Sequence, residues 1–236
     1  MTHPSHNKKV RVIFFGRLSC KYSKLMIKFF KKYQNLDLKV ILSKSRNQKL
    51  SKNQLKWRGD YIICFRSYYI LPQFFLNKAS LAAINFHPAP LNCRGSGGVN
   101  FSLFNNKKKY SVVSHIMNNK LDNGNVIDFL EFKILKKDNL ESLLQKAHQK
   151  TFKLFQIVIK SMLKNNQKYL TQQIKFFKKK KIKFTGSIKK ISQIDKMQEI
   201  KKNYSKNKIQ KIIRSFHLSK FPVYIKLFNY KFYLKL

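Results

Sequence analysis

The sequence predicts an α/β fold with an open, mostly parallel sheet, followed by a small region of helix and β-hairpin. Two observations carry the prediction. Apolar runs at residues 10–15, 39–42, 61–65 and 81–86 alternate with lysine-rich amphipathic stretches. Strands that alternate with helices imply parallel pairing through right-handed crossovers. The runs are also apolar almost throughout rather than at every second position, the pattern of strands covered on both faces.

Taken in order, residues 10–15 end in Gly16, as a buried strand opening into a loop would. Residues 24–33 carry Leu25, Ile27, Phe29 and Phe30 among lysines and predict the first helix. The second strand is 39–42, then a polar loop and short helix fill 43–56, and 61–65 and 81–86 are the third and fourth strands. Gly16 lacks the further glycines of a dinucleotide fingerprint, so a nicotinamide cofactor is not expected. Residues 99–105 predict a helix across a pocket floor, and 111–117 and 126–134 predict strands flanking Asp122. The strongest helical period lies in 139–165, where Leu140, Leu143, Leu144, Ala147, Leu154, Phe155 and Val158 share a face. Asp138 and Glu141 predict a capping box at its start. The lysine run 175–183, with Phe176 and Phe177, reads as a solvated link between domains in preference to a nucleic-acid patch. Beyond it, 188–213 contains a helical segment, and 222–228 and 231–236 alternate around Asn229-Tyr230 as a terminal hairpin. The expected division is a main domain over 1–183 and a small C-terminal region over 184–236.

At 236 residues the chain can bury a substantial core. No apolar run reaches the ~18 residues of a membrane helix. The start lacks a signal peptide's apolar segment and cleavage site, so the expected location is cytoplasmic. Cys20, Cys64 and Cys93 are scattered without Cys-x-x-Cys spacing; they predict reduced thiols and no metal site. Cys93 lies near the predicted pocket, and a neutral thiol is expected there rather than a nucleophile. Fifty-one Lys and Arg stand against nine Asp and Glu, a formal charge of +42, which attracts polyanions. Yet only seven of the 51 are Arg, and abundant Lys, Asn, Ile, Phe and Tyr with scarce Ala and Gly match an A+T-rich coding bias. Nucleic-acid readers favour Arg and clustered aromatics. Compositional bias is therefore favoured over a nucleic-acid ligand, and an anionic small-molecule substrate is compatible with either reading.

Residues 84–98 read Ile-Asn-Phe-His-Pro-Ala-Pro-Leu-Asn-Cys-Arg-Gly-Ser-Gly-Gly, and 121–124 read Leu-Asp-Asn-Gly. Alternation along a strand puts Asn85 and His87 on one face and Ile84 and Phe86 on the other. Pro88 and Pro90 end the strand. The polar pair thus sits at its carboxyl end, where open α/β sheets bind ligands. Gly95, Gly97 and Gly98, three of the seven glycines, follow as a loop whose backbone can approach a ligand closely. In a chain with only nine acids, Asp122 in a second glycine-bearing loop stands out as the third member. An amide can hold a developing oxyanion, an imidazole can move a proton, and a carboxylate can orient the imidazole. That set suits acyl transfer.

Asn-x-His-Pro-x-x-Leu-x-x-x-Arg-Gly, followed by a strand and Leu-Asp-x-Gly, resembles the folate-dependent formyltransferase family. Its members include methionyl-tRNA formyltransferase, glycinamide ribonucleotide formyltransferase and the sugar-nucleotide N-formyltransferases. The likeness covers about residues 9–165. Asp60-Tyr-Ile-Ile-Cys-Phe and Ile70-Leu71-Pro72 resemble the strand and turn that precede the family's Asn-x-His, and 110–122 resembles the strand that carries its aspartate. Ile213-Arg-Ser-Phe-His-Leu-Ser-Lys-Phe-Pro resembles a stretch of the sugar-type members. No further C-terminal domain of the kind that holds tRNA is expected after it.

The resemblance implies a Rossmann-like sheet of the formyltransferase type and transfer of a formyl group from 10-formyltetrahydrofolate to a primary amine, with the N5-formyl form as a binding analogue. The expected acceptor is the amino group of a nucleotide-linked amino sugar. Methionyl-tRNA and glycinamide ribonucleotide are the alternatives, and a non-catalytic basic RNA-binding or assembly protein on the same scaffold is the alternative of another class. Asn85 is expected to donate to the oxyanion, His87 to polarise that centre or take the amine proton, and Asp122 to set the His87 tautomer. Tyr69, Ile70 and Leu71 match the turn that grips the pterin, and Asn118, Asn119, Lys120 and Leu121 the loop on its other side. Arg94 is expected either at a substrate phosphate or bracing the glycine loop; Ser96 stands where some sugar-type members carry Arg, so the sugar stays open. His115 is expected behind Asp122, His217 beside the substrate, and His3, His6 and His148 at the terminus or the surface. The resemblance also implies a two-fold dimer through the C-terminal region.

Overall fold

The structure is a computed structural model that describes residues 9–235, the side chain of Asn166 excepted. His3 and His6, and the last residue of the predicted hairpin, lie outside the described residues. The elements run β1 (Val10–Arg17), α1 (Lys21–Phe30), β2 (Leu36–Ser43), α2 (Lys52–Leu55), β3 (Gly59–Cys64), α3 (Gln73–Leu76), β4 (Ala79–His87), β5 (Arg94–Gly95) and α4 (Gly98–Phe104). Then follow β6 (Lys109–Ile116), β7 (Val126–Lys133), α5 (Leu140–Lys179), β8 (Ile188–Lys189), α6 (Ile191–Met197), β9 (Glu199–Ile200), α7 (Lys206–Phe216), β10 (Tyr224–Leu227) and β11 (Tyr230–Tyr233).

Six strands form the main sheet in the order β2-β1-β3-β4-β6-β7. The first four pair in parallel, and β6 and β7 add antiparallel. Alternate residues of each apolar run enter different cores. Phe14, Ile63, Ile84 and Phe86 meet Phe30 and Phe155 on one face, while Ile13, Phe15, Ile62 and Ala83 meet Trp57 and Phe75 on the other. Two covered faces leave no solvent position for a polar residue, which is why the runs are continuous. Each large apolar side chain so buried contributes roughly 1.5–3 kcal/mol.

α5 is longer than its period predicts. No Gly or Pro interrupts Leu140–Lys179, and Met162, Leu170 and Phe177 carry its buried stripe onward. The lysine run is therefore not a solvated link: Lys175 to Lys179 are the last turns of this helix, with Phe177 packed on Phe129 at 5.8 Å. The predicted cap is corrected too. Asn139 caps the helix in a reciprocal box with Ser142. Asp138 instead accepts the Leu135 N–H at 2.7 Å and binds the Lys146 ammonium at 2.6 Å.

After α5 the chain returns to the main domain. α7 packs on α4, with Phe216 against Phe101 and Phe104 at 5.9 and 5.6 Å, and the Asn100 amide donates to the Ser215 carbonyl at 2.9 Å. β10 and β11 form the hairpin, but its turn is Phe228-Asn229 rather than Asn229-Tyr230, because Phe228 takes the left-handed conformation at φ 51°. β10 also pairs with β9, which covers one edge of the hairpin; β11 is the outer strand.

Candidate active site

β4 carries Asn85 and His87 to the C-terminal edge of the sheet, where register sets Asn85 beside Cys64 of β3 and His115 of β6. Asp122 comes from the β6–β7 loop, in the left-handed region at φ 42°. Two features hold it there. The Arg94 guanidinium donates to the carbonyls of Leu121 (2.9 and 3.2 Å) and Asp122 (3.0 Å), and the Gly95 N–H donates to Asp122 Oδ2 at 2.9 Å. Gly124 completes the turn, since any Cβ at that position would collide with the Ile116 carbonyl.

The other carboxylate oxygen is the meeting point. Asp122 Oδ1 lies 3.4 Å from Asn85 Nδ2, 3.5 Å from His87 Nδ1 and 3.6 Å from His115 Nε2. His87 Nε2 is 2.9 Å from the Cys93 carbonyl. A carbonyl only accepts, so that nitrogen carries a proton, and Nδ1 is left as the one that gains or loses a proton facing Asp122. His115 is fixed the same way: Nδ1–H donates to the Ile116 carbonyl at 2.8 Å, which leaves Nε2 to accept from the Asn85 amide at 3.2 Å. Burial alone would raise the Asp122 carboxyl, which is 6 % exposed. The His87 charge, the His115 ring and the Gly95 N–H outweigh it and hold the group at about 2.

The predicted residues divide. Asn85, His87 and Asp122 converge, and Arg94 braces the Asp122 loop. Ser96 is tied down by its N–H to the Lys189 carbonyl at 2.9 Å. Tyr69 and Leu71 are buried against the Phe15 and Phe75 core, whereas Ile70 between them is 90 % exposed. On the loop ahead of Asp122, Asn118, Asn119 and Lys120 are exposed, Leu121 is 50 % exposed, and the Asn118 side chain accepts the Lys120 N–H at 2.9 Å. His217 follows α7, outside this cluster, its Nδ1 buried without a partner. His148 is not a surface residue: it packs edge-on to Phe65, and burial with Arg66 and Arg17 pushes it down to about 3.

His115, expected behind Asp122, stands opposite Asn85 on β6. One residue joins the site unannounced: Phe184, 7 % exposed. Its ring centroid lies 4.9 Å from that of His115 and 6.1 Å from that of His87, so it walls off the histidines. Across the glycine loop lies a cleft of about 350 Å³, lined by Asn92, Cys93, Phe101, Tyr110 and three lysines, but by none of Asn85, His87 and Asp122. Burial raises the Cys93 thiol there to about 11, so it is not a nucleophile at neutral pH. Among the described residues no His, Cys, Asp or Glu group is placed to hold a metal ion, and no helix is long and apolar enough to cross a membrane.

A parallel-sheet edge that brings an amide, a tautomer-fixed imidazole and an ionised carboxylate together defines an α/β protein equipped for acyl transfer. The formyl transferase family matches residues 15–159. This chain belongs to that family. It is 27 % identical over 164 residues to a methionyl-tRNA formyltransferase of Buchnera aphidicola subsp. Acyrthosiphon pisum, a match covering 69 % of this chain and 49 % of the relative. The chain thus spans about half the length of the curated relatives it matches. In fold it is similar to a sugar N-formyltransferase from Shewanella sp FDAARGOS_354, with TM-score 0.75, 15 % identity, and 96 % and 97 % of the two chains covered. An N-formyltransferase from Helicobacter canadensis, solved with folinic acid and dTDP-3-aminofucose, matches with TM-score 0.69 and 15 % identity over 94 % and 86 %.

Proposed function

We propose that this chain transfers a formyl group from 10-formyltetrahydrofolate to a primary amine, that of a nucleotide-linked amino sugar. The observation that carries the reading is the convergence of Asn85 Nδ2 and His87 Nδ1 on Asp122 Oδ1 within 3.5 Å. The bound folate supplies an activated formyl carbon. Asn85 donates to the formyl oxygen as charge develops there, giving up its long contact to Asp122. His87 Nδ1 takes the proton that the attacking amine loses, Asp122 stabilises the imidazolium so formed, and His87 then returns that proton to the donor's nitrogen as its bond to the formyl carbon breaks. Ile70 and Leu121, exposed on the two loops around the cluster, fit the donor by offering apolar surface to a flat ring. His115 and Phe184 act on the cluster from behind, as positioning residues.

The sugar-nucleotide acceptor is supported by likeness along nearly the whole of a sugar N-formyltransferase and by the dTDP-linked amino sugar bound to the Helicobacter neighbour. Methionyl-tRNA is the second reading, favoured by the curated relatives. Incubating the protein with formyltetrahydrofolate and dTDP-, UDP- and GDP-amino sugars, glycinamide ribonucleotide or methionyl-tRNA separates them. Saturable formylation of an amino sugar is expected; formylation of methionyl-tRNA alone replaces the sugar reading, and no folate-dependent product with any acceptor removes formyl transfer. The reading also places the protein in the cytoplasm, as a two-fold dimer through the β10–β11 hairpin, whose turn and outer strand expose Phe228, Tyr230, Phe232 and Tyr233. Sedimentation tests the dimer, and a monomer at all concentrations refutes it.

A further inference from the structure

We propose that Arg17, Arg46 and Arg66 form the subsite for a phosphate or diphosphate group on the acceptor, at the C-terminal edge of β1 and β3. The assignment deepens the formyl-transfer reading and rests on it. In the order β2-β1-β3 the chain leaves β1 for one neighbour and then crosses to the other. Strand order reverses there, and such points leave a crevice above the strand ends that takes ligands. Arg17 ends β1, Arg66 lies two residues past β3, and Arg46 three residues past β2. Lysines are everywhere in this chain, but three of its seven arginines meet at one place.

Tyr68 gathers them. The Arg17 guanidinium lies 3.8 Å over its ring centroid and that of Arg46 5.4 Å. No ion pair among the described residues joins any of the three to a carboxylate. Arg17 Nε is buried and meets no acceptor, and Arg66 Nη1 donates to the Cys20 sulfur at 3.6 Å. Burial and the Arg66 charge press on Arg17, and His148 beside them is kept neutral. The positive field is uncompensated and awaits an anion.

The cluster is also held rigid. The Arg17 N–H donates to Ser23 Oγ at 3.1 Å, the Tyr68 N–H to Ser43 Oγ at 2.9 Å, and the Ser43 hydroxyl to the Gly16 carbonyl at 2.9 Å. Both serines are fully buried. Arg66 is kept at φ 52°, a left-handed conformation that costs free energy and persists only where surrounding structure enforces it. Guanidinium forks match phosphate oxygens two at a time. The reach is right as well: Phe15 pairs with Cys64 and Cys64 with Asn85, so two strand spacings of ~4.8 Å separate the arginine edge from the reacting centre. A ring amine at Asn85 leaves a phosphate on the same sugar within reach of the arginine side chains. Arg94, the sequence-predicted phosphate contact, has its Nε and Nη2 committed to backbone carbonyls.

The test is calorimetry on the intact protein with inorganic pyrophosphate and, separately, folinic acid. Arg46 is exposed, and Arg66→Asn keeps a residue that tolerates left-handed backbone, so neither variant puts the fold at risk. Pyrophosphate is expected to bind the wild type and to weaken at least about tenfold in Arg46→Ala and in Arg66→Asn, with folinate affinity within about twofold. Lys107→Ala, beside the other cleft, controls for the general charge and is expected to lose less than about twofold. Unchanged pyrophosphate affinity in both arginine variants overturns the subsite, as does an equal loss in Lys107→Ala. Loss of folinate binding alone also overturns it and assigns the arginines to the folate's glutamate carboxylates. Failure of the wild type to bind folinate counts against formyl transfer, whatever pyrophosphate does.

Discussion

Two stretches of one sheet edge, two strand spacings apart, are built on opposite terms. Above β4 and β6 every polar group has a partner: Asp122 is met by Asn85, His87 and Gly95, and each histidine has one nitrogen fixed by a carbonyl. Above β1 and β3 three arginines gather, two of them over one aromatic ring, and none is paired with an acid among the described residues. In the proposed mechanism the first stretch is preorganised for moving a proton, and the second is preorganised by leaving charge unanswered. The contrast teaches that fold alone does not divide chemistry from binding; the placement of a scarce residue type does. In this chain the scarce types are acids and arginines.

The contrast breaks most sharply at Asp122. Asp122→Asn removes the anion that stabilises the His87 imidazolium, and the expected loss of turnover is about 10³-fold or more by analogy with other carboxylate–imidazole pairs. Asn85→Ala is expected to lose about 10²–10³-fold, as for one oxyanion donor. Initial rates on folded protein, verified by circular dichroism, decide; a loss under about fivefold in either variant defeats the proposed roles.

Acid sharpens the same comparison. The folded Asp122 pKa of about 2 lies below its ordinary 3.8, so its contribution is complete above about pH 4 and is lost as pH falls toward 2, on the order of 2 kcal/mol. The melting temperature of the wild type relative to Asp122→Asn should therefore shrink between pH 5 and 3. A gap that stays constant over that range removes the linkage. Arg46 makes no contact with Asp122, so its variants should show no such convergence.

Phe184 tests whether the proton-handling stretch needs its wall. Phe184→Ala admits water behind His87 and His115, and a fall in kcat of about tenfold is expected, with KM for folate unchanged and the pH profile displaced. Phe184→Leu should restore most of both. A pH profile that does not move would reduce Phe184 to packing. The smallest effect is at the far end of the chain. Phe228 is 95 % exposed and left-handed, so Phe228→Asn should stabilise the hairpin by about 0.5–1 kcal/mol. Thermal denaturation reads the gain, and parallel sedimentation shows whether the ring also serves the proposed dimer.

Much of this was legible in the residues. The parallel strands were, because burial on both faces writes itself as an unbroken apolar run. Asn85, His87 and Asp122 were, because strand alternation and glycine loops fix where they project. The end of α5 was not, since a lysine-rich surface hides a buried stripe that continues through Phe177. Asp138 and Asn139 are both good caps, and only geometry chooses between them. His115 and Phe184 belong to no motif. Residue 17 ends one strand while 46 and 66 lie on loops after two others, and only the strand order of the sheet makes them neighbours.

The two-residue pairing of β5 with β8 has a consequence for how the protein comes into being. Gly95, whose N–H holds Asp122, takes Lys189 as its strand partner, and Ser96 beside it donates to the same residue's carbonyl. A ribosome releases the chain N-terminus first. By residue 133 all six strands of the main sheet have been made, and by residue 179 the helix that covers it. The glycine loop that holds Asp122 still lacks its partner until residues 188 and 189 emerge. A nascent chain can therefore have its main sheet complete while Asp122 is not yet held, and the proposed site closes only as these two residues emerge.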